Sequence, residues 1–301
     1  MAKAWSDWYD VETPIGRLRC QPRGRLRLTW QVKQGPRAKL TEGERALNAI
    51  LVGDEVHVRL RPDGEGAIEA ILPRRSALSR PLIANVDRVL VIATWTSPPW
   101  NGELVDRLLI LAAAHGCEGW LVLNKVDELD DPEADARLQV YADAGYRVWR
   151  VSAACGDGMD ELGAALSEGV SVLAGASGAG KSRLLGALVP DRAASLRTGE
   201  VSPRLLRGRH TTRHVELLRV PAGGFVADTP GFSRVDLTHI EKADLGAFFP
   251  EFAALSPTCR FRGCLHRGEP GCAVAGAVDP ERLRHYRLFL TEVEAWEANR
   301  Y

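Results

Sequence analysis

The 301-residue sequence contains no uninterrupted run of about 18 apolar residues, and its first ten residues lack the apolar core of a secretory signal peptide. It also carries no net charge at pH 7, because 39 Lys and Arg residues balance 39 Asp and Glu residues. The missing apolar run excludes an ordinary membrane-spanning helix, and the balanced charge points to no particular partner. We therefore expect a cytoplasmic protein with no membrane association, long enough for two or three domains.

Cysteine is scarce, and three of the six cysteines fall within fourteen residues near the C-terminal end. In a reducing compartment such clustering favours a metal over disulfides. With one histidine the three cysteines form the pattern C-x4-C-x-H-x5-C, and three thiolates with one imidazole suit a four-coordinate structural zinc site. The alternative is a set of free thiols beside a surface histidine. The predicted zinc ligands are Cys259, Cys264, His266 and Cys272.

Acidic residues are missing from residues 16–39, a stretch that holds eight Arg and Lys residues and Trp30. Short alternating apolar runs, separated by Gly and Pro turn signals, fill residues 1–80. This pattern predicts an N-terminal OB-type β-barrel, the oligonucleotide-binding fold. A basic surface with an aromatic side chain attracts an RNA phosphate backbone, whereas the alternative is a solvated strand face with alternating arginines. We expect an RNA-binding domain over residues 1–80.

Glycine is dense at residues 175–182, which read G-A-S-G-A-G-K-S and match the phosphate-binding loop pattern G-x-x-x-x-G-K-[ST]. An apolar run at residues 170–174 precedes the loop, and a helix-compatible run at residues 183–189 follows it. The glycines allow backbone N–H groups to converge on phosphate oxygens. We expect Lys181 to bridge the outer phosphates and the Ser182 hydroxyl to hold Mg²⁺; the alternative is a Gly-rich turn that binds nothing. The predicted phosphate-binding residues are Gly175, Ala176, Ser177, Gly178, Ala179, Gly180, Lys181 and Ser182.

Residues 124–127 read N-K-V-D and directly follow an apolar strand pattern at residues 119–123. Open α/β sheets bind ligands at the carboxyl ends of their strands, and N-K-x-D in that place is the guanine-reading motif of GTPases. The Asp127 carboxylate can accept from both N1–H and the exocyclic amino group of guanine. The stem of Lys125 is expected along the base, and Asn124 is expected to tie this loop to the phosphate loop. The motif comprises Asn124, Lys125, Val126 and Asp127.

Ser152 and Ala153 follow the next predicted strand, residues 147–151, and occupy the place of the loop whose backbone N–H meets guanine O6. Together with the phosphate loop, these residues predict that the nucleotide is GTP. A P-loop ATPase or kinase is a further alternative. Asp127 argues against it, because adenine does not present the pair of donors that this carboxylate accepts.

The order of the motifs is unusual, because ordinary GTPases have the phosphate loop first. Here N-K-V-D precedes it by about fifty residues, while G-R-H-T-T at residues 208–212 and D-T-P-G-F at residues 228–232 follow it. Strand and helix patterns alternate over residues 81–240 and predict a parallel α/β sheet carrying a circularly permuted GTPase. In this order, with the basic barrel and the Cys/His cluster, the sequence closely resembles the ribosome small-subunit-dependent GTPase A (RsgA) family, over essentially the whole chain.

The resemblance implies a GTPase that binds the 30S ribosomal subunit and its 16S rRNA, promotes late subunit maturation, and hydrolyses GTP to GDP with stimulation by the subunit. It implies three domains: the barrel (residues 1–80), the circularly permuted GTPase domain (residues 81–240) and a zinc-binding helical or knuckle domain (residues 241–301). We expect a monomer. An alternative is a nucleotide-gated RNA-binding module in which hydrolysis is incidental.

The resemblance also implies roles for the residues around the γ-phosphate. Either Thr211 or Thr212 should sense Mg²⁺ and the γ-phosphate, Asp228 should hold the metal through water, and the Gly231 N–H should contact the γ-phosphate. The expected magnesium set is Ser182, Thr212 and Asp228.

Glutamine is missing from the position after D-x-x-G, where many GTPases use it to orient the attacking water. Phe232 occupies that position and cannot orient water, so we expect slow intrinsic hydrolysis. His210 is the candidate for the missing catalytic role, because an imidazole can orient water near neutral pH. The alternative is a switch residue that contacts rRNA or nothing.

Overall fold

The structure is a computed structural model, and it describes residues 1–4, 8–23, 50–79, 81–190, 215–228, 236–237 and 240–299. The strands are β1 (Lys3–Ala4), β2 (Tyr9–Thr13), β3 (Gly16–Pro22), β4 (Val56–Leu60), β5 (Gly66–Ile71), β6 (Ala77–Ser79), β7 (Leu82–Ala84), β8 (Arg88–Ala93), β9 (Glu118–Asn124), β10 (Arg147–Val151), β11 (Val170–Gly175), β12 (Glu216–Arg219) and β13 (Phe225–Asp228). The helices are α1 (Gly102–Ala114), α2 (Pro132–Asp143), α3 (Met159–Ala165), α4 (Lys181–Leu188), α5 (Pro250–Leu255) and α6 (Pro280–Asn299). None of these helices is both long enough and apolar enough to cross a membrane.

The chain divides into two compact units, each assembled from three segments. The first unit comprises Met1–Arg88, Glu161–Leu173 and Ser182–Phe232. The second unit comprises Val89–Asp160, Ala174–Lys181 and Ser233–Tyr301.

In the first unit, β1, β2 and β3 form an antiparallel meander, β3 runs parallel to β5, and β4 pairs antiparallel with β5. A small core of Met1, Val11, Cys20 and Ile68 lies under these strands. Beyond β1 the order continues through β12, β13 and β11, and the β13–β11 pair is parallel. Strands β6 and β7 pair antiparallel with each other in a separate two-stranded sheet. The expected barrel strand at residues 26–32, with Trp30 and the basic residues that follow Arg23, lies outside the described residues.

A buried ion pair holds the connection that follows this meander. The Asp54 carboxylate is fully buried and accepts hydrogen bonds from Arg74 Nε at 2.6 Å and from the Leu51 backbone N–H at 2.8 Å. Burying a carboxylate without partners would cost free energy. The hydrogen bonds from Arg74 and Leu51 replace those that water would otherwise make.

The second unit contains the strand order β10-β9-β8, and β9 runs parallel to β10. Strands β8 and β9 read as almost continuous apolar runs and are buried along most of their length, as expected for parallel strands covered on both faces. Helix α1 begins after Asn101, whose side chain accepts from the Leu104 N–H. Helix α2 begins after Asp131, whose carboxylate accepts from the Glu133 N–H, with Pro132 in the first turn.

An aromatic core supports the C-terminal end of the second unit. Phe249 and Phe252 pack against Tyr286, with ring centroids 5.5 and 4.8 Å from the tyrosine ring. Because β strands are absent from the described residues beyond 228, this packing of rings replaces a sheet as the support for the C-terminal turns.

A buried charge network fixes α6 against α1 and α5. The Arg282 side chain is only 2% exposed; it donates to Asp106 on α1 and, at 2.5 Å, to Glu251 on α5. The Asp106 Oδ2 atom also lies within hydrogen-bond distance of His285 Nδ1, at 2.6 Å. The Arg282 guanidinium lies over the ring of Tyr141. One arginine on α6 therefore contacts three other helices, α1, α5 and α2.

Replacement of Arg282 by methionine should destabilise the protein by about 3 kcal/mol, because it leaves two carboxylates buried without their cation. Arg284→Met is the control on the same helix, since the Arg284 side chain is 65% exposed and contacts Glu281 at 3.6 Å and His285 Nε2 at 3.0 Å. This control should cost less than about 1 kcal/mol. The measurement is the free energy of unfolding in urea, followed by circular dichroism. Equal losses for the two variants would contradict a special role of the buried network.

Candidate functional site

One buried side chain links three loops of the second unit. Strands β9 and β10 are paired so that Asn124 lies opposite Val151, which places the two loops that follow them at the same edge. Asn124 is 3% exposed. Its Oδ1 accepts from the Ala153 N–H at 3.1 Å, and its Nδ2 donates to the Ala179 carbonyl at 2.9 Å. The N-K-V-D loop, the Ser152–Ala153 loop and the phosphate loop therefore meet at one carboxamide.

The phosphate loop lies between β11 and α4, and two of its glycines are required by close approaches. A Cβ on Gly175 would lie 2.1 Å from the Ile92 carbonyl oxygen, and one on Gly180 would lie 2.3 Å from Asn124 Nδ2. Both glycines have positive φ, +140° and +89°, which other residues rarely adopt. The loop therefore packs against β8 and Asn124 at a distance that only glycine allows.

The ammonium group of Lys181 folds back over the phosphate loop. It donates to the carbonyls of Gly175 at 2.9 Å and Ala176 at 2.6 Å. Partial burial lowers the pKa of Lys181 from its ordinary value, because the charged form loses hydration. Among the described residues, two neutral carbonyls are the only groups that hold this cation, so at the start of a helix it is well placed for an anionic ligand.

The backbone of the N-K-V-D loop turns at Lys125, which has a left-handed φ of +65°. Its Nζ donates to the Ser97 carbonyl at 2.6 Å, and the short 3-10 turn Val126–Glu128 follows. The Asp127 side chain is exposed on this turn. The carboxylate that is expected to recognise guanine is thus exposed, and the nearby Lys125 is held by its hydrogen bond to the Ser97 carbonyl.

The expected magnesium residues are described only in part. Ser182 is exposed in the first turn of α4, and Asp228 ends β13. In the parallel pairing of β11 with β13, Val172 lies opposite Ala227, so Asp228 follows at the carboxyl end of the pair. The catalytic candidate His210 and the switch residues Thr211, Thr212, Gly231 and Phe232 lie outside the described residues.

The predicted Cys/His ligands converge in the second unit. The three sulfurs and one imidazole nitrogen all lie within 4.8 Å of one another, which the chemistry of a tetrahedral divalent metal site requires. His266 Nδ1 faces two of the sulfurs, Cys272 at 3.4 Å and Cys259 at 3.8 Å. Burial, which removes hydration from the thiolate, and then the adjacent Cys272 raise the pKa of the Cys264 thiol to about 12.

Ser256 fixes the orientation of the His266 ring. The Ser256 hydroxyl donates to the Phe252 carbonyl at 2.7 Å and therefore accepts from His266 Nε2 at 3.0 Å. With its proton on Nε2, the ring directs the Nδ1 lone pair at the sulfurs, which is the tautomer that a metal needs. Sequence reasoning missed Ser256, because a serine ten residues before a histidine carries no recognisable signal.

Glu269 organises the backbone of the turn between the predicted ligands. Its carboxylate accepts from the N–H groups of Leu265, Arg267 and Gly268. Burial alone would raise the pKa of Glu269, but these backbone hydrogen bonds outweigh it and lower the pKa to about 2. Sequence reasoning missed this residue too; a glutamate inside the Cys/His spacing was its only signal.

The phosphate loop, the N-K-V-D loop and their order along the chain together define a circularly permuted nucleotide-binding α/β protein. A model of the RsgA GTPase family matches residues 71–238. The small ribosomal subunit biogenesis GTPase RsgA of Moorella thermoacetica is 43% identical and matches 99% of this chain and 97% of its own length. The protein of the same name from Bacillus subtilis is 40% identical and matches 81% of this chain and 84% of its own. The chain therefore belongs to the RsgA GTPase family.

Two solved structures resemble the whole chain. YloQ, described as a circularly permuted GTPase, superimposes with a TM-score of 0.78 at 32% identity, over 98% of this chain and 94% of its own. YjeQ from Thermotoga maritima gives a TM-score of 0.77 at 30% identity, over 97% and 96% of the two chains. The resemblance that the motif order indicated, including the circular permutation, is thus confirmed.

Gly180→Ala should destabilise the protein more than Gly178→Ala, although both positions have left-handed φ values. The alanine at position 178 makes only an ordinary van der Waals contact, since the nearest atom is Pro98 Cδ at 3.6 Å. At position 180 it displaces the buried Asn124 and breaks its hydrogen bonds, which adds about 1 to 3 kcal/mol. Urea unfolding without nucleotide measures the difference.

The double variant Gly180→Ala/Asn124→Ala separates this clash from backbone strain. If the clash with Asn124 is the cause, the two substitutions cost less together than the sum of their separate costs. Strict additivity, or equal costs at positions 178 and 180, would show that the contact with Asn124 is unimportant.

Proposed function

We propose that this chain is a GTP hydrolase that binds the 30S ribosomal subunit and its 16S rRNA as a monomer and promotes late subunit maturation, with hydrolysis stimulated by the subunit. Membership of the RsgA GTPase family supports GTP hydrolysis, and the relatives named small ribosomal subunit biogenesis GTPase support the ribosomal role. The observation that carries the proposal is the double hydrogen bond of Asn124, which brings the guanine-reading motif and the phosphate loop to one edge.

In this proposal the base and the phosphates are bound by separate loops. Asp127 accepts from guanine, Lys125 lies along the base, and a backbone N–H of the loop at Ser152 and Ala153 meets guanine O6. Lys181 exchanges its two carbonyl contacts for phosphate oxygens, which compensates a cation that is partly desolvated. The proposed GTP-binding residues are Asn124, Lys125, Val126, Asp127, Ser152, Ala153, Gly175, Ala176, Ser177, Gly178, Ala179, Gly180, Lys181, Ser182, Thr211, Thr212, Asp228 and Gly231.

The proposed Mg²⁺ site draws on residues at or after the carboxyl ends of the two parallel strands, β11 and β13. Ser182 supplies a hydroxyl, Asp228 a carboxylate that acts through water, and Thr212 a second hydroxyl. Magnesium suits this set, because it prefers oxygen ligands and retains several waters beside a nucleotide. His210 is proposed to orient the attacking water, since Phe232 cannot.

Zinc is proposed for the Cys/His cluster, held by Cys259, Cys264, His266 and Cys272. When bound, the ion would supply cross-linking of the C-terminal turns rather than catalysis, because four protein ligands leave no position for a reactive water. The proposed domains are the RNA-binding barrel (residues 1–80), the GTPase domain (residues 81–240) and the zinc domain (residues 241–301). The meander of β1 to β3 with the parallel β3–β5 pair supports an OB-type barrel in the first of these.

Ser256→Ala should weaken Zn²⁺ binding by about tenfold, because the His266 ring loses the acceptor that selects its tautomer. Thr258→Val is the matched control: the Thr258 hydroxyl also donates to a carbonyl in this region, that of Leu255, but it is exposed. Competition with a chromophoric chelator measures the affinity of the full chain. Similar Zn²⁺ affinity in both variants would remove Ser256 from the site.

Purified protein should hydrolyse GTP slowly, reject ATP, and accelerate at least tenfold with 30S subunits but not with naked 16S rRNA. Missing alignment of the attacking water is the physical reason for a slow basal rate, and donors that align it supply factors of this size or larger. Equal turnover of ATP and GTP would indicate a P-loop ATPase. Equal stimulation by naked RNA would favour the nucleotide-gated RNA-binding module. In the same assay, an unchanged stimulated rate for His210→Ala would exclude the role proposed for His210.

A further inference from the structure

The connection between β8 and α1, residues 94–101, is here called the bracing loop. It is held together by its own contacts: Thr94 Oγ1 donates to the Pro98 carbonyl at 2.5 Å, and the Trp100 N–H donates to the Trp95 carbonyl at 3.0 Å. The rings of Trp95 and Trp100 pack with centroids 5.8 Å apart. The bracing loop is therefore a compact support rather than an extended connection.

Two hydrogen bonds attach the bracing loop to the segment that carries the guanine-reading motif. The Ser97 carbonyl accepts from Lys125 Nζ at 2.6 Å. The Trp95 indole Nε1–H donates to Asp131 Oδ2 at 2.7 Å. The two attached residues lie on opposite sides of Asp127 along the chain, so both flanks of the reading carboxylate are fixed to the same support.

The segment needs such attachments, because its own backbone gives little rigidity. Lys125 has a left-handed φ of +65°, which is costly for a residue with a Cβ and persists only where surrounding contacts impose it. The three-residue 3-10 turn Val126–Glu128 is the only regular structure between Lys125 and the start of α2 at Pro132. A turn of this length does not hold a side chain in place by itself.

Asp131 couples its two carboxylate oxygens to different partners. Oδ1 accepts from the Glu133 N–H at 2.9 Å and so caps α2, while Oδ2 takes the indole hydrogen of Trp95. The point at which α2 begins is therefore fixed to the bracing loop through a charged hydrogen bond, the stronger kind.

We propose that Trp95 is a positioning residue for guanine recognition: through Asp131, with the Ser97 carbonyl acting on Lys125, the bracing loop holds Asp127 where it meets both guanine donors. This inference rests on the proposed GTP site. Trp95 touches no part of the base; it acts through the segment it anchors. Its loss should reduce discrimination between bases that differ only in the exocyclic amino group.

The test compares GDP with inosine diphosphate, whose base retains N1–H but lacks the exocyclic amino group. Trp95→Phe keeps an aromatic ring and removes the indole donor. We expect the Kd of GDP to rise about fivefold, below the full effect of losing a hydrogen bond to a carboxylate, while the Kd of inosine diphosphate changes less. The preference for GDP should therefore fall about threefold or more.

Trp100→Phe is the matched control within the bracing loop, because Trp100 Nε1 is buried and has no hydrogen-bond partner among the described residues. It should leave the preference for GDP unchanged. In the Trp95→Phe background, Asp131→Asn should change the preference little further, since the two act through one contact. Circular dichroism melts of the zinc-loaded full chain verify that each variant is folded.

If Trp95 served only to stabilise the fold, Trp95→Phe would weaken the binding of both nucleotides by the same factor. It would lower the fraction of protein that is able to bind without altering the contacts to the base. An unchanged preference for GDP in Trp95→Phe therefore overturns the inference, as does an equal loss in Trp100→Phe. Failure of the wild-type protein to bind GDP would instead refute the proposed function. The two failures are thus distinguishable.

Discussion

The proposed nucleotide site depends on the requirement that a buried carboxamide satisfy both of its ends. Asn124 is excluded from water, so its oxygen and its nitrogen each need a partner inside the protein. The partners are backbone groups of Ala153 and Ala179, in two loops far from Asn124 and from each other in sequence. Moving either loop leaves a buried polar group unpaired, so the three loops hold their places together. Permutation of the motifs leaves this contact intact, because it depends on position in the sheet and not on chain order.

The same logic governs the C-terminal turns, where few backbone groups belong to regular structure. Side chains supply the partners that a sheet would otherwise provide: Glu269 accepts from three backbone N–H groups, and Tyr286 on α6 donates to the Leu265 carbonyl at 3.1 Å. The Ser256 hydroxyl donates to the Phe252 carbonyl and accepts from the His266 ring. These contacts orient the donor groups of the cluster, which reduces the ordering that a bound ion would have to impose.

Motifs with fixed local spacing were predictable from the sequence. The phosphate loop, N-K-V-D and the C-x4-C-x-H-x5-C pattern each restrict residues within a few positions, and the order of the first two indicated the permuted GTPase family. The contacts of Ser97 with Lys125 and of Trp95 with Asp131 were not predictable, because 28 and 36 residues separate the partners. Every residue type carries a backbone carbonyl, so the identity of residue 97 gives no sign of this contact. The buried Arg282–Asp106 pair spans 176 residues and is equally silent in the sequence.

Recognition of the base and alignment of the attacking water are separate physical tasks, and this chain treats them differently. The proposed base-reading groups lie on a segment held by the Trp95 and Lys125 contacts and by Asn124, so little ordering should accompany guanine binding. Many GTPases align the water with a glutamine at the position that Phe232 occupies, and a phenyl ring offers neither donor nor acceptor. In the proposed function, hydrolysis therefore stays slow until the ribosomal subunit brings another group, for which His210 is proposed, into alignment with the water. The subunit would then control the lifetime of the GTP state, which is the property that a timing device in subunit assembly needs.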